Sequence, residues 1–373
     1  MRGGAAARKL LSGGRILPRS AATEEDEEPV YMYCALLILL GLAYFPIAAD
    51  GSLAVAPPGP FPPPGTETDW FSAAGHGLFT HYLNGLQNGF GPNSQGKNST
   101  WSDCVDEFDV AAYAASAASA GARYAVITMM QGSRYLLAPN AAYDQFTGYA
   151  PGDACARRDL ILDLSDALAS HNISLMLYWT GDGPHEDAQA SAGLGWPEAP
   201  TSRANVPLLF AQRWAAVLEE YAVRYADRVA GWWVDGCYTY FNYTEAKLFP
   251  YYAAIRAGNP RGLVALNHGV MHPISRYSVW EDYTCGESND FTELPPGRFV
   301  NGSQWHTLGF LGTAWAAPGA RYNGSALGAY VAAVAARQGV VTVDVQLLRN
   351  GSINAQQVAV LAQAFAPAQQ PQK

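Results

Sequence analysis

Eight short apolar runs, most of them separated by a stretch of helical period, constrain this chain more than any other feature. They are HGLFTHYL (76–83), RYAVITMM (123–130), ISLMLYW (173–179), VAGWWVD (229–235), GLVALNHG (262–269), a short piece ahead of Glu287, WHTLGFLG (305–312) and GVVTVDVQLL (339–348). These runs are continuously apolar, as strands buried on both faces of a parallel sheet are. Between them, Trp214, Val217, Leu218, Tyr221 and Tyr225 share one face of 209–229. Ile161, Leu164 and Leu168 share one side of a helix that stops at Asn172, and a third helix ends at Gly339. The order predicts an α/β chain: a single (β/α)8 TIM barrel over 69–366, with a sixth unit between 270 and 304 that is mostly loop. A doubly wound open sheet fits less well, because no glycine-rich phosphate loop follows an early strand.

Ahead of the barrel, no charge interrupts residues 30–49, a span about long enough to cross a bilayer. Arg2, Arg8, Lys9, Arg15 and Arg19 lie before it in 1–29, and no Lys or Arg follows until Lys97. That asymmetry predicts a cytosolic N-terminus and a translocated remainder, in the secretory pathway. Two readings stay open: a retained signal anchor giving a type II membrane protein, or a cleaved signal peptide starting at Met32 and giving a secreted one. Residues 50–68 include APPGPFPPPG, a semi-rigid proline-rich linker, and 367–373 read as a disordered tail. Glycosylation sequons at Asn98, Asn242, Asn301, Asn323 and Asn350 agree with a lumenal or extracellular domain, and a sixth at Asn172 leads directly into a strand. Beyond Cys34, in the apolar run, four cysteines (Cys104, Cys155, Cys237 and Cys285) allow either two disulfides or buried free thiols.

With 15% charged residues and a net charge of −9, nucleic acid is excluded as a partner. The strand ends predicted to converge on one face carry His81, Gln131, Trp179 with Asp182, Asp235, Asn267 with His268, Glu287, Trp315 and Asp344. That makes an acid-rich, aromatic-lined mouth without a serine nucleophile or a phosphate loop. No cofactor is expected, and no metal: His81, His268 and His306 show neither His-Glu-X-X-His nor His-X-His spacing. Tyr178, Trp179, Trp233 and Trp315 are candidates for stacking on a sugar, each equally able to be core. Parity along the strand puts Trp233 on the same face as Asp235.

The order of these pieces resembles the barrel of the α-L-fucosidases, the retaining glycoside hydrolases of family 29, over roughly residues 70–365. HGLFTHYL is similar to that family's Phe-Gly-Ile-Phe-Ile-His-Trp strand, AGARYAVITMM to its Ala-Gly-Ala-Lys-Tyr strand, and RDLILDLSDALASHNISLMLYW to its Arg-Asp-Leu helix and third strand. GWWVDG, YTCGE and FLGTAWA resemble the segments bearing the nucleophile, the acid/base and a tryptophan beside the sugar. The resemblance implies a (β/α)8 barrel acting on a glycan or glycoside, with Asp235 as nucleophile, Glu287 as acid/base and His81 and Trp315 against the sugar. Two departures stand out. QGSRY replaces the family's His-His-Asp-Gly-Phe, leaving Gln131 and Gly132 where two histidines contact fucose, and no C-terminal β-sandwich follows within this sequence.

Retaining hydrolysis needs one ionised carboxylate and one protonated carboxyl about 5 Å apart. Asp235, behind Trp233 at a strand end, suits the first role, and Glu287, on an irregular segment, the second. Glu281, Asp282, Asp290 and Glu293 compete for the second role. Gln131, His81 and His306 are candidates to bind sugar hydroxyls. A catalytically silent carbohydrate-binding barrel, and a retaining glycosidase for another sugar such as galactose, are the alternatives.

Overall fold

A computed structural model describes residues 65–197 and 205–366. The signal-anchor reading of 30–49, most of the 50–68 linker and the tail at 367–373 lie outside those residues. No helix among them is long and apolar enough to cross a membrane.

Strands β1 (His76–Thr80), β2 (Tyr124–Thr128), β3 (Ser174–Thr180), β4 (Val229–Asp235), β5 (Leu263–Leu266), β8 (His306–Phe310) and β9 (Val340–Val345) pair in parallel in the order β5-β4-β3-β2-β1-β9-β8. Two-residue strands β6 (Phe299–Val300) and β7 (Ser303–Gln304) form a separate antiparallel ribbon. Helices cross between most sheet strands, the longest running from Leu208 to Tyr225 ahead of β4. The result is an α/β fold in which a curled sheet makes a barrel-like wall.

Eight barrel strands are expected from the sequence, and the described sheet has seven. The sixth place is taken by 282–288, whose only strand-like bridges are Tyr283 with Gln304 and Glu287 with Leu308. Polarity explains the difference. Asp282 gives its backbone N–H to Val264 O, at 2.8 Å, but the outward N–H groups of β5 go to side chains. Val264 N donates to Asp282 Oδ2 at 2.8 Å, and Leu266 N donates to Glu281 Oε1 at 3.0 Å. Buried N–H groups left unpaired would cost about 1–3 kcal/mol each, so these carboxylates substitute for a strand edge. On the other flank, Leu308 N donates to Gly286 O and Ser288 N to Leu308 O. Gly286 sits at φ 63°, and a Cβ there would lie 2.0 Å from His306 O, so only glycine passes β8 this closely.

Inward side chains fill the barrel: Phe79, Tyr124, Val126, Met176, Tyr178, Trp233, Ala265, Tyr283 and Leu308 form one buried cluster. Phe71, on the helix Asp69–Ala74, closes its N-terminal end against Tyr124 and Tyr283, with ring centroids 5.0 and 4.9 Å away. His306 belongs to this end, which corrects its expected sugar contact. It opens β8, so its ring lies at the foot of the barrel, with Nδ1 2.9 Å from Thr284 O and Nε2 2.6 Å from Thr342 Oγ1. Burial lowers its pKa to about 4 and keeps it neutral.

Cys104, Cys155, Cys237 and Cys285 are buried free thiols, so the alternative of two disulfides is not realised. Among the sequons, Asn98, Asn172, Asn242, Asn301 and Asn323 are exposed and Asn350 is half-buried.

Glu281 is a test of this closure. Its Oε1 accepts from Leu266 N, and its Oε2 accepts from Tyr277 N at 2.6 Å and Ser278 N at 3.0 Å. Glu281→Gln turns one acceptor into a donor facing a donor. Denaturant unfolding is expected to show a loss of about 1–3 kcal/mol, with Glu281→Ala costing at least as much.

Candidate active site

Alternation along the strands selects which side chains meet at the C-terminal face. Tyr178 pairs in register with Trp233, and Thr180 with Asp235, so these four point into the barrel. Trp179 points the other way and stacks on Trp214 of the neighbouring helix, 4.3 Å between centroids, fully buried. It is core, which corrects its expected role against a sugar. Trp233 does face inward as parity predicts, stacked 5.6 Å from Tyr178, with its indole N–H donating to Cys285 O at 2.8 Å. It anchors the backbone two residues before Glu287, and at 5% exposure it offers little face to a ligand.

Asp235 ends β4, is 7% exposed and accepts three hydrogen bonds from neutral donors. Tyr178 Oη donates to Oδ2 at 2.7 Å. Tyr238 Oη and Asn267 Nδ2 donate to Oδ1 at 3.2 and 2.7 Å. Burial, and then the Asp235 charge, push both tyrosine pKa values far upward, so the phenols stay protonated and keep donating.

Asn267 follows β5 and its Nδ2 also donates to Glu287 Oε2, again at 2.7 Å. One nitrogen therefore holds an oxygen of each carboxyl group. Two contacts of 2.7 Å to a single atom keep those oxygens within about 5.4 Å of each other. Glu287 is pushed up to about 7, first by burial and then by the Asp235 charge, while the Asn267 amide and His81 pull it down. The pair thus combines a heavily solvated-by-protein carboxylate with a carboxyl that holds its proton near neutrality.

His81 follows β1, with Nδ1 2.8 Å from Asp344 Oδ1, and Asp344 Oδ2 accepts from Ala316 N at 2.7 Å. Trp315 stands beside it, half-buried, with ring centroids 6.0 Å apart. The competing acids lie elsewhere: Glu281 and Asp282 close the barrel, Asp290 takes the Thr292 hydroxyl, and Glu293 holds His272 and Ile274 N. Among the described residues no cluster of ligating side chains could hold a metal ion.

A cavity of about 640 Å³ opens over Asp235, bounded by the loops after β1 to β4. Gln131, Asp182, His185, Glu186, Trp196 and Tyr240 line it. Asp182 is raised to about 6, chiefly by burial, and His185 Nδ1 lies 3.3 Å from its Oδ2. Sequence reasoning picks out Asp235, Glu287, His81 and Gln131 for this face. It misses Tyr238 and Glu186, which sit on loops where no periodicity reports direction. Asn267 was legible as a strand end, and its bridging role was not.

A family profile described as Alpha-L-fucosidase matches residues 59–365. The chain belongs to the α-L-fucosidase family. Solved structures share its fold. An endo-fucoidan hydrolase of glycoside hydrolase family 107 aligns at TM-score 0.61 and 13% identity, over 81% of this chain and 53% of that one. α-L-Fucosidase isoenzyme 1 from Paenibacillus thiaminolyticus aligns at 0.57 and 20%, over 81% and 75%. An α-L-fucosidase from Lactobacillus casei, in complex with α-L-fucose product, aligns at 0.56 and 18%, over 80% and 97%. This chain spans about half the length of the endo-fucoidan hydrolase. Comparison with curated proteins gives no match.

Removing the shared donor separates a bridging amide from a merely packed one. Asn267→Ala is expected to lower kcat/KM by about a hundredfold to a thousandfold, as loss of a transition-state donor does. Because the amide stabilises ionised Glu287, its loss also moves the Glu287 titration above 7, read from the alkaline limb of the pH profile. A packing role would leave that limb in place.

Proposed function

We propose that this fucosidase-family hydrolase is a retaining exo-glycosidase that removes a terminal fucose-like residue through a covalent glycosyl-enzyme. The observation that carries the proposal is the single Asn267 nitrogen bonded to both Asp235 and Glu287. Retaining glycosidases hold their two carboxyl groups about 5–5.5 Å apart, whereas inverting ones leave about 6.5–9.5 Å for a water. The shared nitrogen keeps the nearest oxygens of the pair within about 5.4 Å, which supports the retaining reading.

In this reading, an Asp235 oxygen attacks the anomeric carbon as the bond to the leaving oxygen breaks. The Glu287 proton goes to that oxygen, giving a free alcohol and a sugar ester of Asp235. A water then approaches the same carbon, Glu287 takes its proton, and the ester bond breaks to release the sugar and regenerate the carboxylate. The net configuration is retained after two displacements. Burial and the neighbouring negative charge keep Glu287 protonated for the first step, and its proton returns in the second. Tyr178, Tyr238 and Asn267 hold Asp235 in one rotamer, so attack needs little reorganisation.

The support for fucose is family membership together with His81, whose charge bears on Glu287, and Trp315 beside that histidine. A fucosidase is also reported as bound to Fucα(1,6)GlcNAc, a terminal fucose on a second sugar.

Two readouts test the mechanism. Proton NMR of an aryl α-L-fucoside digest is expected to show the α-anomer first; initial β-product would overturn the nucleophile role of Asp235. The alkaline limb of kcat/KM is expected near pH 7, because activity needs protonated Glu287 and falls as it ionises.

A further inference from the structure

We infer that the loop after β3 makes this cavity selective for uncharged sugars against those carrying a sulfate, phosphate or carboxylate, with Glu186 as the specificity-determining residue. The inference rests on the proposed glycosidase reading, in which a sugar that reacts at Asp235 occupies the cavity opening over it.

The cavity wall holds Asp182, Glu186 and Asp235, and no lysine or arginine among the described residues that line it. Among those described lining residues His185 is the one basic group, and its Nδ1 is matched by Asp182 at 3.3 Å. The nearest cation in sequence, Arg134, is committed elsewhere: its guanidinium bonds Tyr149 at 3.2 Å, Tyr135 at 3.1 Å and Asp187 at 3.5 Å. A negatively charged substituent entering this space would therefore meet like charge, with no lysine or arginine among the described lining residues to pair it. Over such short distances salt screens little.

Glu186 is placed there by a specific backbone arrangement. Its N–H donates to Gly132 O at 2.8 Å. Gly132 has φ +65°, and a Cβ on it would lie 3.0 Å from Glu186 Cδ and 3.1 Å from Oε1. The bare glycine leaves room for the carboxylate to lie over the loop after β2. Glu186 is exposed, next to Gln131 and Ser133, which are neutral. An ionised carboxylate is an acceptor only, so it takes hydroxyl donors from a neutral sugar and has nothing to offer an anionic group. Discrimination here works by repulsion as much as by attraction.

The test uses the full chain and pairs of aryl α-L-fucosides that differ in one sulfate ester, taking each ring hydroxyl in turn. The neutral member is expected to be preferred in kcat/KM by about tenfold or more, consistent with one unscreened like-charge contact. Glu186→Gln should shrink that ratio severalfold, and Glu186→Asp should keep it. A pair processed equally well, or a ratio that Glu186→Gln does not move, overturns the inference. Should the chain turn over a different sugar, the same pairs are built on that sugar, so a wrong sugar and a wrong charge rule give different results. Where no turnover occurs, calorimetric binding gives the same ratio, and binding of neither member also overturns the inference.

Discussion

The edge of β5 is the constraint on which the catalytic face depends. A parallel barrel cannot leave buried N–H groups open on one strand, and here the neighbour that should pair them is not a strand. Two carboxylates, Asp282 and Glu281, reach in from the following segment and accept those hydrogens. Asp282 is itself held by Arg256, whose Nη2 lies 2.7 and 2.8 Å from its two oxygens, and both side chains are fully buried. Side-chain acceptors free the backbone from strand geometry. The chain can then turn at Gly286 and present Glu287 toward Asp235 instead of into the sheet.

From this follows a division of labour between the carboxyl groups. Asp235, Glu281, Asp282 and Asp344 are buried around the barrel and Glu287 is half-buried, and burial raises the cost of charging each one. What distinguishes them is their donors. Asp235 has two phenols and an amide. Glu281 and Asp282 have backbone N–H groups and an arginine, and Asp344 has His81 and Ala316 N. Glu287 has only the shared Asn267 amide among the recorded bonds, and it stands next to a negative charge. Burial pushes Glu281 up to about 8 as well, but its oxygens face backbone N–H groups at the β5 edge, so Glu287 is the raised carboxyl that shares a donor with Asp235, as a general acid must.

Much of this architecture was legible in the sequence, for physical reasons that also explain the failures. Strands β1 to β5, β8 and β9 announce themselves because both faces of a barrel strand are buried, and a run such as VAGWWVD leaves few alternatives. Period-two alternation puts Trp233 on the face of Asp235, and the register of β3 with β4 adds Tyr178 to it. The same rule, applied to Trp179, would have sent it outward onto Trp214, and only its position at a strand end suggested a site. His306 misled for a similar reason: it opens β8 where the others close their strands, and a histidine's type does not report which end of the barrel it occupies. The acid-rich run from 281 to 293 reads as interchangeable carboxylates, because burial and hydrogen bonding, not sequence, separate a barrel clamp from a catalytic acid. Tyr238, His185 and Glu186 sit on loops, where contacts are set by the tertiary fold alone.

The central claim is that Asp235 is a nucleophile served by Glu287 across one bridging amide. It is tested most directly by incubating the protein with a fluorinated fucosyl reagent, which forms the sugar ester but hydrolyses slowly, and then mapping the labelled peptide. The account predicts one covalent sugar per chain, on Asp235, and loss of the label in Asp235→Ala. A label on another carboxylate, or labelling that persists in Asp235→Ala, would contradict it.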